Sequence, residues 1–214
     1  MVINAETAAE LSRFLLQIKA IQIQTANPFH WASGWFSPIY CDNRKTLSHP
    51  NIRNFVKNKL KQVLLDEFGD VEVIAGVATG AIAIGALVAD IMDLPFIYVR
   101  ASSKGHGLGN QIEGDLSTGK KVVVIEDLIS TGMSSLNAVK CLREADMEVL
   151  GMASIFTYGF DQATSNFKQE SCKLICLADY SALLEVALKE QYIQQDEMQV
   201  LQNWRKDPSN WTGK

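Results

Sequence analysis

Residues 122–135 read VVVIEDLISTGMSS, and this stretch decides the fold. Its β-branched run predicts a buried strand that carries two adjacent carboxylates, Glu126 and Asp127, at its C-terminal end. A turn rich in hydroxyl groups follows, and a helix begins directly after it. A strand, a turn and a helix in this order are typical of α/β sheets, whose ligands bind outside the carboxyl ends of the strands.

The same alternation continues on both sides of this stretch. Further strands are predicted at residues 71–78, 96–99, 149–158 and 173–178. Helices are predicted at residues 6–21, 50–68, 81–92, 134–145, 160–169, 181–190 and 195–205. Because the strands are almost continuously apolar, we expect an α/β fold with a parallel sheet that helices cover on both faces.

The chain is expected to form a single domain, 1–214, with a core over about residues 50–190. Residues 27–49 are aromatic, contain two prolines and lack a helical period, so they predict a small hood of short strands and loops. The polar tail after residue 192 carries Trp204 and Trp211, which we expect to pack the tail onto the core.

Composition narrows the class of protein. Hydrophobic residues make up 47% and charged residues 21% of the 214 residues, which is ordinary for a soluble globular domain. The net charge of −4 argues against a broad nucleic-acid-binding surface, so any bound anion must be held locally. The uncharged stretch 73–89 is too short to span a membrane and is better explained as a buried strand, a turn and a helix.

Cysteine and histidine usage bears on the compartment. The four cysteines form no CxxC pair and the three histidines are scattered, so neither a disulfide framework nor a zinc site is predicted. The N-terminal residues lack the pattern of a signal peptide. We therefore expect a cytoplasmic protein with reduced thiols.

The hydroxyl-rich turn predicts a sugar-phosphate site. Its backbone N–H groups converge at a helix N-terminus, an arrangement that binds phosphate. Carboxylates would repel a phosphate and only accept hydrogen bonds, so Glu126 and Asp127 fit the hydroxyls of a ribose. The alternative is a plain strand and capped helix with solvated carboxylates.

Residues 101–118, ASSKGHGLGNQIEGDLST, interrupt the alternation with a long glycine-rich loop. A mobile lid over a site is the favoured interpretation, and an inert loop is the alternative. Arg100, Lys104 and His106 would let such a lid close on a polyphosphate. The turn at residues 76–81 could bind a second phosphate, although tight packing of a strand against a helix explains its small residues equally well.

The stretch 122–135 resembles the phosphoribosyl-diphosphate motif of type I phosphoribosyltransferases. Residues 100–107, RASSKGHG, and 32–44, ASGWFSPIYCDNR, are similar to orotate phosphoribosyltransferases. The resemblance covers about residues 27–160 and implies a parallel sheet flanked by helices with a small N-terminal hood. It also implies transfer of ribose 5-phosphate from phosphoribosyl diphosphate to orotate, which gives orotidine 5′-phosphate and diphosphate in pyrimidine nucleotide biosynthesis.

The same resemblance implies roles for individual residues. Catalytic roles fall to Lys104, His106 and Asp127. Substrate contacts are implied for Tyr40, Cys41, Arg100, Lys104, His106, Glu126, Asp127, Leu128, Ile129, Ser130, Thr131, Gly132, Met133 and Ser134. Mg²⁺ would be held mainly by the substrate, without direct protein ligands. A homodimer would lend each lid to the neighbouring site.

Some positions depart from the family pattern. Ala101 stands where many members carry a lysine, Ala32 where a lysine is often found, and Gly80 where some members have one. An arginine that meets the base in some relatives is replaced near Tyr158. The partner of the orotate carboxylate therefore stays open, with Arg44 and hood amides as candidates. Two other functions also remain: a phosphoribosyltransferase for another nucleobase, and a non-catalytic regulator that senses phosphoribosyl diphosphate.

Overall fold

The computed structural model describes residues 2, 4–31, 34–102 and 111–213, except for the side chain of Thr118. The predictions for Lys104, His106 and Ala32 fall outside the described residues. Among the described residues, no helix is long and apolar enough to cross a membrane.

Helices and strands follow one another along almost the whole chain. The helices are α1 (Ala5–Gln17), α2 (Pro50–Glu67), α3 (Ile82–Met92), α4 (Met133–Glu144), α5 (Asp161–Gln169), α6 (Tyr180–Lys189) and α7 (Gln195–Lys206). The strands are β1 (Ile21–Ile23), β2 (Phe29–His30), β3 (Phe36–Ser37), β4 (Ile39–Cys41), β5 (Val73–Val77), β6 (Phe96–Val99), β7 (Ile112–Glu113), β8 (Lys121–Ile129), β9 (Glu148–Thr157) and β10 (Leu174–Asp179).

The main sheet has six strands in the order β10-β9-β8-β5-β6-β7. The first five run parallel, and only the edge strand β7 runs antiparallel to its neighbour β6. Helices α1, α2, α3 and α6 pack against one face, and α4 and α5 against the other. The predicted α/β fold with a helix-covered parallel sheet is therefore confirmed.

The hood consists of two small antiparallel sheets. Strand β1 pairs with β4, and β2 pairs with β3. A short 3₁₀ helix at Asn43–Ser48 then leads into α2. The short strands expected within residues 27–49 are present, and β1 adds one that the sequence did not suggest.

Two segments differ from the prediction. The first helix ends at Gln17 instead of reaching residue 21, because Lys19 adopts a left-handed φ of 54° and Ile21 begins β1. The expected loop 101–118 contains strand β7 and a 3₁₀ turn at Leu116–Thr118. The apolar Ile112 is buried at the sheet edge, so its half of the segment belongs to the sheet.

The tail completes an aromatic cluster beneath the hood. Trp204 of α7 is fully buried, and its ring centroid lies 5.7 Å from Trp31 and 5.8 Å from Tyr158. Its indole N–H donates to the carbonyl of Phe36 in β3 over 3.2 Å. The tail therefore packs on the core, as expected, and also supports the hood.

We expect Trp204→Ala to lower the free energy of unfolding by about 3–5 kcal/mol, because the large buried ring would leave a cavity and an unpaired carbonyl. Urea unfolding followed by circular dichroism measures the loss. Tyr192→Ala is the control, since Tyr192 is about half exposed and should change stability by no more than about 0.5 kcal/mol. Equal midpoints for the two variants would contradict the role of Trp204.

Candidate functional site

A cavity of about 330 Å³ lies at the carboxyl ends of β5, β6 and β8. Its wall contains Cys41, Asp42, Arg44, Val77, Ala78, Thr79, Gly80, Val99, Arg100, Ala101, Glu126, Asp127, Leu128, Ser134 and Ala138. Six of the residues implied by the resemblance meet here: Cys41, Arg100, Glu126, Asp127, Leu128 and Ser134. A larger cavity of about 700 Å³ lies between α6, α7 and Trp35, away from the two acids.

The two adjacent acids have different surroundings. Glu126 is 5% exposed, and its Oε2 accepts a hydrogen bond from the Ser135 hydroxyl over 2.8 Å. Its Oε1 accepts from the backbone N–H of Asp127 over 3.0 Å. Burial, and then the neighbouring Asp127 carboxylate, raise the pKa of Glu126 well above its ordinary value. Glu126 therefore stabilises the structure of the site, and Asp127 is the carboxylate more available to a ligand.

Asp127 lies where the end of β8 meets the hood and the turn at residues 76–81. Burial raises the pKa of its carboxyl group, while the nearby Arg44 guanidinium acts in the opposite direction. A Cβ placed on Gly80 would overlap all three carboxyl atoms of Asp127. The absence of a side chain at Gly80 thus leaves the space that the Asp127 carboxylate occupies.

The turn after β8 presents unpaired backbone donors. The N–H groups of residues 130–135 donate to no acceptor in the part of the chain that the structure describes. The first helical bond runs from the N–H of Leu136 to the carbonyl of Gly132, which has a left-handed φ of 79°. Consecutive free N–H groups at the start of a twelve-residue helix form a cradle suited to phosphate.

Not every predicted contact residue has its side chain in this cradle. Ile129 is fully buried in the core between the sheet, α4 and α5, so it has only backbone to offer. Met133 is 63% exposed, and Tyr40 is 39% exposed without lining the cavity. Ser130, Thr131 and Gly132 form the turn itself.

The hood is fastened to the acidic strand end by a residue that the sequence did not single out. The side-chain amide of buried Asn43 donates to the backbone carbonyl of Asp127 over 2.6 Å. The Cys41 thiol donates to Oδ1 of Asn43 over 3.3 Å, and burial raises the pKa of that thiol well above its ordinary value. Asn43 and Asp127 are 84 positions apart, so no local pattern could have linked them.

Two arginines border the cavity. Arg44 pairs with Asp42, whose Oδ1 lies 2.6 Å from Nε of Arg44. Nη1 of Arg100 is buried without a hydrogen-bond partner among the described residues, and it lies 3.5 Å from Oε1 of Glu113. Arg100 thus lies at the cavity wall with its Nη1 directed at Glu113.

The segment that carries Lys104 and His106 begins and ends beside this cavity. The N–H of Arg100 donates to the carbonyl of Gln111 over 2.9 Å, and Nε2 of Gln111 donates back to the carbonyl of Arg100 over 3.4 Å. These bonds extend the β6–β7 ladder up to the mouth of the site. Lys104 and His106 themselves lie outside the described residues.

Comparison with known proteins identifies the family. A family model described as a phosphoribosyl transferase domain matches residues 44–191. The orotate phosphoribosyltransferase of Phocaeicola vulgatus is 59% identical over 92% of this chain and 93% of its own length. The chain belongs to the orotate phosphoribosyltransferase family. The family suggested by residues 32–44, 100–107 and 122–135 is therefore confirmed.

Further relatives support this membership. The orotate phosphoribosyltransferase of Bacteroides thetaiotaomicron is 57% identical over 92% of this chain and 93% of its own length. The crystal structure of orotate phosphoribosyltransferase from Aeropyrum pernix superposes with a TM-score of 0.75 at 27% identity. That match covers 86% of this chain and 99% of the Aeropyrum chain.

The packing of Gly80 against Asp127 generates a prediction. We expect Gly80→Ala to lower kcat/KM for phosphoribosyl transfer about 100-fold, because the new methyl group displaces the Asp127 carboxylate. Steady-state kinetics measures this loss. The control is Gly69→Ala, which meets no atom within 4 Å but has a left-handed φ of 64°. It should cost about 1–2 kcal/mol of stability and leave kcat/KM unchanged; normal kinetics in Gly80→Ala would contradict the geometry.

The buried Glu126 predicts a pH-dependent stability. Its pKa is raised in the folded chain, so unfolding releases a proton, and stability falls as pH rises above the ordinary glutamate pKa toward the folded value. Glu126→Gln mimics the protonated form, so its gain in stability over the unsubstituted protein should grow as pH rises above the ordinary glutamate pKa, by at most about 1.4 kcal/mol per pH unit.

Denaturant unfolding at several pH values, without substrate or metal, tests this expectation. Glu148→Gln is the control, because Glu148 is exposed and its removal should leave the pH dependence as it is. Parallel stability curves for Glu126→Gln and the unsubstituted protein would refute a raised pKa at Glu126.

Proposed function

We propose that this chain transfers ribose 5-phosphate from phosphoribosyl diphosphate to orotate, giving orotidine 5′-phosphate and diphosphate. The observation that carries the proposal is the row of unpaired N–H groups at residues 130–135 beside the Asp127 carboxylate. Family membership supports the same reaction. The N–H groups can donate to a phosphate, and the adjacent carboxylate can accept hydrogen bonds from hydroxyl groups. Together they suit the two ends of a ribose 5-phosphate.

In this arrangement the 5-phosphate lies in the turn and first helical residues, 130–134. Asp127 accepts hydrogen bonds from the ribose hydroxyls, and Glu126 holds the strand end in place from its buried position. The guanidinium of Arg100, at the cavity wall, faces the diphosphate. Orotate then lies between the sugar and the hood, near Cys41 and Arg44.

The reaction breaks the bond between C1 of the ribose and the diphosphate oxygen and forms a bond from C1 to a pyrimidine nitrogen. Positive charge develops on the sugar, and the departing diphosphate keeps the bonding electron pair. Catalysis then consists of positioning and charge stabilisation. Arg100, with Lys104 and His106 of the lid, stabilises the leaving group, and lid closure excludes water from the reactive sugar.

Mg²⁺ is the proposed cofactor. The described residues contain no group of three or more metal-ligating side chains. The cavity wall offers the neighbouring carboxylates Glu126 and Asp127, and also Asp42, which is paired with Arg44. This donor set fits an ion that takes most of its ligands from phosphate and hydroxyl oxygens and water. Bound Mg²⁺ would neutralise part of the diphosphate charge.

The proposal extends to assembly and location. We propose a homodimer in which each lid serves the neighbouring site, and a cytoplasmic enzyme. All four cysteines are free, which suits a reducing compartment. The regulator alternative is less favoured, because a regulator would need a DNA-binding surface and the chain is acidic.

An assay with orotate, phosphoribosyl diphosphate and Mg²⁺ tests the reaction. The absorbance of orotate should fall as one diphosphate forms per orotate consumed. Adenine, hypoxanthine and uracil, offered separately, test the second candidate, a transferase for another base. Turnover with one of these bases and none with orotate would overturn the proposal.

Asp127→Asn tests the ribose role in the same assay. Loss of the charged acceptor should lower kcat/KM about 10- to 100-fold, with little change in melting temperature. Asp90→Asn is the matched control, since Asp90 is exposed on α3. Unaltered kinetics in Asp127→Asn would remove Asp127 from the site.

A further inference from the structure

Helix α5 contacts the phosphate turn at two consecutive residues. The side-chain Nδ2 of Asn166 donates to the backbone carbonyl of Thr131 over 3.0 Å. Phe167 is buried and packs so closely on Gly132 that a Cβ at that glycine would lie 2.7 Å from its ring. The helix thus supports the turn from the side opposite the cavity.

The contact from Asn166 fixes the orientation of one peptide group. In a trans peptide the carbonyl of one residue and the N–H of the next point in opposite directions. Holding the Thr131 carbonyl on Asn166 therefore turns the N–H of Gly132 away from α5. That N–H has no acceptor among the described residues, so it remains free for a ligand.

The turn has little other support at this point. Within the described part of the chain, no side chain caps the start of α4. Gly132 lacks a Cβ, which gives its peptide more freedom than another residue would have. The neighbouring restraint acts further upstream, where the N–H of Tyr158 and the hydroxyl of Thr157 both donate to the carbonyl of Ile129. Ser135 ties the start of the helix to Glu126 through its side chain. Among the described residues, the amide of Asn166 is the side-chain group that hydrogen-bonds the backbone itself between Ile129 and Leu136.

We propose that Asn166 is a positioning residue for the substrate's 5-phosphate. It touches no substrate itself and acts by preorganising the N–H groups of the turn. Its loss lets the Thr131–Gly132 peptide rotate, so that binding a phosphate must first restore its orientation. This inference rests on the proposed function, because it takes residues 130–134 as the phosphate cradle.

Asn166→Leu tests the inference, because leucine keeps the approximate volume and removes the donor. The expected result is a roughly 5- to 20-fold rise in the KM for phosphoribosyl diphosphate and in the Kd of ribose 5-phosphate measured by calorimetry. The KM for orotate and kcat should change less than about twofold. Asn166→Ala should show the same pattern and serves as a second variant if the leucine impairs folding.

Gln169→Leu is the matched control, since Gln169 is exposed on the same helix and should leave every constant unchanged. A wild-type Kd for ribose 5-phosphate in both Asn166 variants overturns the inference. So does an equal loss for orotate and phosphoribosyl diphosphate, which would indicate general damage.

The failure of the proposed function would look different. A protein that binds ribose 5-phosphate, loses that binding in Asn166→Leu, yet never converts orotate would retain the inference and overturn the reaction. A protein that binds no ribose 5-phosphate would overturn both.

Discussion

The burial of Glu126 beneath the first turn of α4 is the constraint on which the site depends. Neighbouring residues of a strand face opposite sides, so the acid pair is divided between the two faces of the sheet. Glu126 faces α4 and accepts from Ser135, whereas Asp127 faces the hood and Gly80. The bond from Ser135 ties the strand end to the helix start, and the turn between them is thereby held with its N–H groups free.

The hood and the sheet are joined through the same point. Asn43 donates to the carbonyl of Asp127, so a bond to the backbone fixes the hood without occupying the carboxylate. The Cys41 thiol donates to Oδ1 of Asn43 and so orients the Asn43 amide from the other side. The hydrogen bonds from Cys41 to Asn43 and from Asn43 to Asp127 therefore align two parts of the site. These parts are the hood wall proposed to contact the base and the carboxylate proposed to bind the sugar.

Most of the architecture could be predicted because the strands and helices carry strong local signals. The run at residues 122–135 specified a strand, an acid pair, a turn and a helix in the order that the structure has. Prediction failed at two places. The left-handed backbone of Lys19 ends α1 although the apolar pattern continues, and Ile112 pairs with β6 in the sheet although a loop was expected. Asn43 and Asn166 were missed because each acts on a backbone carbonyl far away in the sequence.

The indole bond from Trp204 to the carbonyl of Phe36 joins residues 168 positions apart. A ribosome makes the hood well before α7, the helix that supplies the aromatic support beneath it. The wall near the proposed base site can therefore settle only after α7 has emerged. Competence to bind would then appear late and all at once during synthesis, although the core sheet could begin to assemble earlier.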